Sequence, residues 1–106
     1  MKKFLWIAGC AALFASAAAM AANPAAGKEK SKTCAACHGP DGNSAAPDFP
    51  RLAGQNYDYL VKALRDYKAG ERKNAIMAPQ AANLSVRDIE DLAAFYARQS
   101  GLVVKY

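Results

Sequence analysis

Two cysteines and a histidine fall within five residues, Cys34-Ala35-Ala36-Cys37-His38. On a helix, positions i, i+3 and i+4 share a face. That spacing therefore brings two sulfurs and an imidazole to one side of a single turn. C-x-x-C-H is the attachment sequence of covalently bound haem. Both sulfurs can reach the two vinyl groups on one edge of the ring, and His38 is carried beneath it with a nitrogen for iron. Ala35 and Ala36 are small enough to let the backbone come close. Three other readings use the same residues. A thioredoxin-like dithiol needs a βαβ setting, which the sequence does not offer. Structural zinc takes four ligands, and beyond residue 21 there is no other Cys or His. A plain disulfide with an incidental histidine is the third.

The amino terminus reads as an export signal. Met1-Lys2-Lys3 is a basic head, Phe4 to Phe14 is almost wholly apolar, and Ala19-Met20-Ala21 is an A-x-A cleavage site. Cleavage is expected after Ala21, with Ala19 and Ala22 as alternatives, which makes residues 1–21 a signal peptide and residues 22–106 the mature domain. Two rivals share the segment. Phe4 to Ala22 is uncharged over 19 residues, close to the shortest membrane span. Ile7-Ala8-Gly9-Cys10 resembles a lipobox, although Cys10 comes too early for a normal apolar core. All three readings export the rest of the chain. Haem thioethers are made outside the cytoplasm in bacteria, so leader and motif agree, and the expected location is the periplasm.

The full chain carries 14 basic and 9 acidic residues, net +5. Without Lys2 and Lys3 it carries +3, from 12 basic and 9 acidic residues. That is too small and scattered a charge for a nucleic-acid protein. Lys28, Lys30 and Lys32 read as a solvated helix face. An exported domain of residues 22–106 is near the size at which a core often needs a metal or cofactor as an extra nucleus. A Cys34–Cys37 bridge closes too short a loop to serve.

The patterning is helical. Beyond Leu102-Val103-Val104 there is little β signal. A first helix is expected over Pro24–Ala36, capped by Asn23 with Pro24 at its first position. It must end at Gly39-Pro40-Asp41-Gly42. An irregular stretch follows over Asn43–Asn56. Tyr57, Leu60, Val61, Leu64 and Tyr67 or Lys68 form a helical stripe over Tyr57–Ala69, stopped by Gly70. Glu71–Leu84 reads as a loop holding Met77 and Pro79. Ser85 and Asp88 resemble a capping box. They open a last helix with a buried stripe of Val86, Ile89, Leu92, Ala93 and Tyr96, which Gly101 ends. Two long loops in so small a domain make sense if they wrap a large buried group.

The mature chain has one histidine, His38, and one methionine, Met77. Met77 is therefore the soft donor available for the second axial position. A His/Met pair raises the reduction potential and leaves no open site on iron. Met77 as an adaptable core filler, an open site, or ligation by Lys73 or Asn74 are the other readings.

These stretches together resemble the class I c-type cytochromes, in particular small monohaem cytochromes of the bacterial periplasm and one half of the di-haem periplasmic cytochromes. The likeness covers Gly27 to Gly101. It rests on Cys34-Ala35-Ala36-Cys37-His38-Gly39, Pro50-Arg51-Leu52-Ala53-Gly54-Gln55, Tyr59-Leu60, Met77 and Asp91-Leu92-Ala93-Ala94-Phe95-Tyr96-Ala97. The resemblance implies an all-α cytochrome c fold, three or four helices wrapped around one covalently bound haem c. It implies that the Pro50 carbonyl accepts a hydrogen bond from the axial histidine and that Leu52 packs on the haem. It also implies that the helices beginning at Pro24 and Ser85 cross near Phe95 or Tyr96. Many members have an aromatic residue four positions before the first cysteine; here that residue is Lys30, so the crossing relies on Gly27 and Ala26. The only tryptophan is Trp6, in the leader. That leaves Arg51, Gln55 or Tyr57 as candidates for holding a haem propionate.

The function implied is that of a single-electron carrier in a periplasmic respiratory chain, not an enzyme. The alternative is a haem-bearing relay subunit of a larger oxidoreductase. Implied partners are redox proteins docking transiently, a quinol-oxidising complex upstream and a terminal oxidase or reductase downstream. No nucleic acid is expected, and a membrane only if the leader stays attached.

Overall fold

The computed structural model describes residues 21–101. Residues 1–20, which hold Cys10 and most of the expected signal peptide, and residues 102–106, which hold Leu102-Val103-Val104, lie outside the described residues. Five helices follow in order: α1 Pro24–Lys30, α2 Lys32–His38, α3 Tyr57–Ala69, α4 Met77–Ala82 and α5 Val86–Ala97. There is no strand among the described residues.

The expected first helix is two. Asn23 caps α1 by accepting the Ala25 and Ala26 amides, with Pro24 at the first position. The ladder then breaks at Ser31. Its hydroxyl donates to the Lys28 carbonyl at 2.7 Å, and its amide is shared between Gly27 and Lys28 carbonyls. Such back-bonding competes with the regular ladder. The helix resumes as α2 and runs through His38, two residues beyond the expected end.

α3 has the expected limits, and Gly70 closes it in a left-handed conformation. α5 starts at a complete capping box between Ser85 and Asp88. It ends at Ala97, four residues before Gly101, with Arg98 as its last cap. Val86 is 63% exposed, not part of the buried stripe. It sits in the first turn of α5, at the margin of the packing. Phe95 is buried in the core instead. The expected loop around Met77 contains the short helix α4.

The core is small. Leu60 of α3 meets Leu92, Ala93, Phe95 and Tyr96 of α5, with Leu52, Val61, Leu64 and Leu84 half-buried around them. α1 packs chiefly on α5, α3 on both α5 and α4, and α2 follows α1 and reaches the core through Cys34. The α1–α5 crossing is made at Gly27. A Cβ added there would lie 1.9 Å from the Asp91 carbonyl oxygen and 2.9 Å from Phe95 Cβ. The two backbones touch, and no side chain fits between them.

A charged cluster sits beside the crossing. Asp91 is 2% exposed. Its carboxylate accepts the Asn23 amide at 2.8 Å and Lys30 Nζ at 2.8 Å, with Arg87 Nε at 3.5 Å. Lys30 also reaches Asp88 at 3.0 Å. So Lys30, read from sequence as part of a solvated face, is a structural cation. Lys28 and Lys32 are exposed, and Lys32 pairs only with Glu29.

Burial is the strongest single influence on Asp91 and pushes its carboxyl up. Lys30, the Asn23 amide and Arg87 together outweigh it and hold the carboxyl below its ordinary value of 3.8. The Ser85 amide and Lys30 lower Asp88 in the same direction.

Two outcomes are expected. Gly27→Ala forces the backbones apart and should cost about 2–3 kcal/mol in urea unfolding of the haem-loaded protein; an unchanged midpoint would contradict the close crossing. Because Asp91 and Asp88 are depressed in the folded chain, their contribution is complete above the unfolded carboxylate value. It is lost as pH falls through 3.8 and below. Stability measured from pH 6 to pH 3 should therefore fall more steeply in the wild type than in Asp91→Asn.

Candidate functional site

α2 carries Cys34, Cys37 and His38 on one face of its last turn and ends at His38. Gly39 closes it, its amide bonding the Ala35 carbonyl at 3.0 Å. Cys34 and Cys37 are unbridged and half-buried, and His38 is buried. Burial pushes the Cys34 thiol up, keeping it as S–H.

The loop over residues 39–56 supplies the other wall. Gly42 turns it with φ +87°, and a Cβ there would meet the Ala53 amide nitrogen and the Tyr96 ring, both at 2.8 Å. The Gly42 carbonyl accepts the Leu52 amide at 2.7 Å and the Ala53 amide at 3.2 Å, and the Gly54 amide donates to the Tyr96 carbonyl at 2.9 Å. The loop is thereby closed on itself and tied to α5. It brings the Pro50 carbonyl 2.8 Å from His38 Nδ1. A carbonyl only accepts, so Nδ1 carries the proton and Nε2 of the neutral ring presents its lone pair. Leu52 is half-buried against the core beside Cys34.

Met77 is the first residue of α4 and is half-buried. Its helix packs on α3, and α4 and α2 do not pack on each other. Asn74 Oδ1 accepts the Ile76 and Met77 amides at 2.9 Å each. Of the other residues singled out from sequence, Lys73 is exposed, Arg51 is exposed, and Tyr57 is half-buried. Gln55 turns its side-chain oxygen back to the Asn56 amide at 2.8 Å.

The donor chemistry fits a covalently held haem. Two thiols, an imidazole fixed through Nδ1 with Nε2 presented, and a thioether are the groups such a cofactor uses. Leu52, Val61, Leu64 and Leu84 are half-buried against the core cluster. Among the described residues, no group of three His, Cys, Asp or Glu is placed to hold a bare metal ion. Two shallow concavities among the described residues, on the outer face of α3 and between α1 and the end of α5, include none of Cys34, Cys37, His38 or Met77.

The cytochrome c family model matches residues 24–98. The chain belongs to the cytochrome c family. Members of this family carry covalently bound haem c, and the five helices have the all-α cytochrome c fold. Reduced cytochrome c4 from Pseudomonas stutzeri superposes with a TM-score of 0.74 at 46% identity, over 78% of this chain and 48% of that one. Cytochrome c-554(548) of Halomonas halodenitrificans is 46% identical over 82 residues, 74% of this chain and 99% of that protein. The thiosulfate dehydrogenase electron acceptor of Stutzerimonas stutzeri is 43% identical over 107 residues, 89% of this chain and 47% of that protein. The chain spans 39% and 44% of the length of two cytochrome c4 sequences it matches.

Tyr96 is a neighbour of the cytochrome motif that the sequence stripe marked only as core. Its hydroxyl is buried beside Cys34 and Ser31 without a well-formed hydrogen bond to either, and burial pushes its pKa up. An unpaired buried hydroxyl contributes little, so Tyr96→Phe should keep the unfolding free energy within about 1 kcal/mol of wild type or raise it. A loss of ~2 kcal/mol or more would mean that the hydroxyl is paired.

Proposed function

We propose that this chain carries single electrons in the bacterial periplasm through one haem c, joined to Cys34 and Cys37 and ligated by His38 and Met77. The observation that carries the reading is His38: buried at the end of the C-x-x-C-H turn, with Nδ1 held 2.8 Å from the Pro50 carbonyl. That hydrogen bond orients the ring, selects the tautomer and raises the basicity of Nε2.

Bound haem supplies a one-electron couple at iron. Cys34 and Cys37 would hold the haem covalently, each thiol adding across a vinyl group with no leaving group needed. His38 would hold the iron through Nε2, with Nδ1 engaged by the Pro50 carbonyl. Met77, on a helix that packs on α3, would hold it through its thioether sulfur. An iron held by both residues would leave oxygen and peroxide no site, which suits a carrier rather than an enzyme. Leu52 would offer the haem apolar contact, and Arg51, Gln55 or Tyr57 would hold a propionate. Residues 1–21 act as the export leader and residues 22–106 as the cytochrome domain.

Transfer runs through the edge near Ala35, Ala36 and Met77; Ala36 is exposed. Partners dock there briefly through small patches. A quinol-oxidising complex is the proposed donor and a terminal oxidase or reductase the acceptor. The Halomonas halodenitrificans relative, matched over nearly its whole length, favours a free carrier. The likeness to a thiosulfate dehydrogenase electron acceptor favours a second reading, a relay subunit of a larger oxidoreductase. Co-purification with a large subunit would select the second.

The test is a visible spectrum, oxidised and reduced, of protein matured in a periplasm with c-type assembly enzymes. A sharp low-spin c-type spectrum with the weak far-red band of methionine sulfur on ferric iron is expected, and Met77→Ala should abolish that band. A c-type spectrum lacking the band in the wild type would remove Met77 as ligand. No haem absorbance would remove the whole reading.

A further inference from the structure

We propose that Asn74 is a positioning residue for Met77, setting the direction in which the thioether leaves the backbone. The proposal rests on the reading of Met77 as an iron ligand. Asn74 Oδ1 accepts the Ile76 amide and the Met77 amide, both at 2.9 Å. The Asn74 carbonyl accepts the Ala78 amide at 3.0 Å. A side-chain oxygen bonding the second and third amides, while the same residue's carbonyl takes the first helical bond, is an N-cap. Asn74 is thus the cap in hydrogen-bonding terms, and Met77 is the third residue of the capped turn.

α4 cannot hold that turn by itself. Met77–Ala82 is a six-residue helix, far below the length at which a helix persists unaided. Three points hold it. Asn74 binds its start, Ala81 is fully buried in a helix packed on α3, and Lys68 Nζ donates to the Ala82 carbonyl at 2.9 Å. Only Asn74 acts on the amide of Met77 itself. The amide oxygen of Asn74 is committed to two backbone donors, so this residue serves Met77 rather than competing with it for iron.

The axial thioether is a neutral donor on a flexible side chain, so its hold on iron depends on where the backbone places it. Loss of the cap should loosen that hold before it loosens the fold. The test uses the haem-loaded protein as wild type, Asn74→Ala, Asn74→Asp and Met77→Ala. In Asn74→Ala the Ile76 and Met77 amides should exchange roughly five-fold faster, in line with loss of a side-chain cap. The far-red methionine band of the ferric protein should vanish at a lower temperature than the helical signal. Asn74→Asp keeps an accepting oxygen and should restore both. Unchanged exchange and an unchanged band temperature in Asn74→Ala would overturn the proposal. So would equal loss in the Ala and Asp variants, because the cap would then not be the cause. A far-red band that survives Met77→Ala would instead overturn the ligation reading. The amide exchange would still report on the cap.

Discussion

The contact on which the rest of the molecule hangs is backbone on backbone. Gly27 of α1 lies against the Asp91 carbonyl of α5, with no room for a Cβ. α1 continues through Ser31 into α2, so the position of Cys34, Cys37 and His38 is measured from that crossing. α5 in turn carries the core onto which α3 packs, and α3 supports α4 and Met77. The two proposed axial residues reach their places by separate routes that start from one helix.

A polar solution stands beside this crossing, where many class I cytochromes use an aromatic ring. Lys30 occupies that position and neutralises Asp91. A carboxylate with 2% exposure is tolerable only when its oxygens are bonded and its charge is matched. Asn23 contributes its amide, so the cap of α1 is attached to α5 by the same carboxylate that takes the lysine. The methylene stem of a lysine can also cover apolar surface while its head remains charged. The junction thus specifies one relative placement of the two helices through directional bonds as well as through shape.

Much of the site was readable because its chemistry is local. Cys34, Cys37 and His38 are neighbours on one turn whatever surrounds them. The same holds for Asn23 before Pro24, for Ser85 with Asp88, and for Gly70 after α3. The errors have local causes as well. Pro79 made Glu71–Leu84 read as loop, although proline is compatible with a first helical turn. Asn74 three residues before Met77 was the available signal that a capped turn begins there. Val86 had the right period but too terminal a place to be covered. Ser31 divided the first helix because its hydroxyl found the Lys28 carbonyl, a competition that periodicity does not register.

The sequence by itself determined α3, the starts of α1 and α5 with their caps, and the five-residue motif, because each depends on residues within about one turn of one another. Tertiary structure decided what those pieces do together. Lys30 and Asp91, 61 residues apart, become partners only when two helices cross at Gly27. His38 and Pro50, 12 residues apart, meet only when the Gly42 turn folds the intervening loop back. The physical reason is range. Backbone preference and side-chain period act over a few residues, whereas the pairing of a buried charge or an imidazole is set by which surfaces pack.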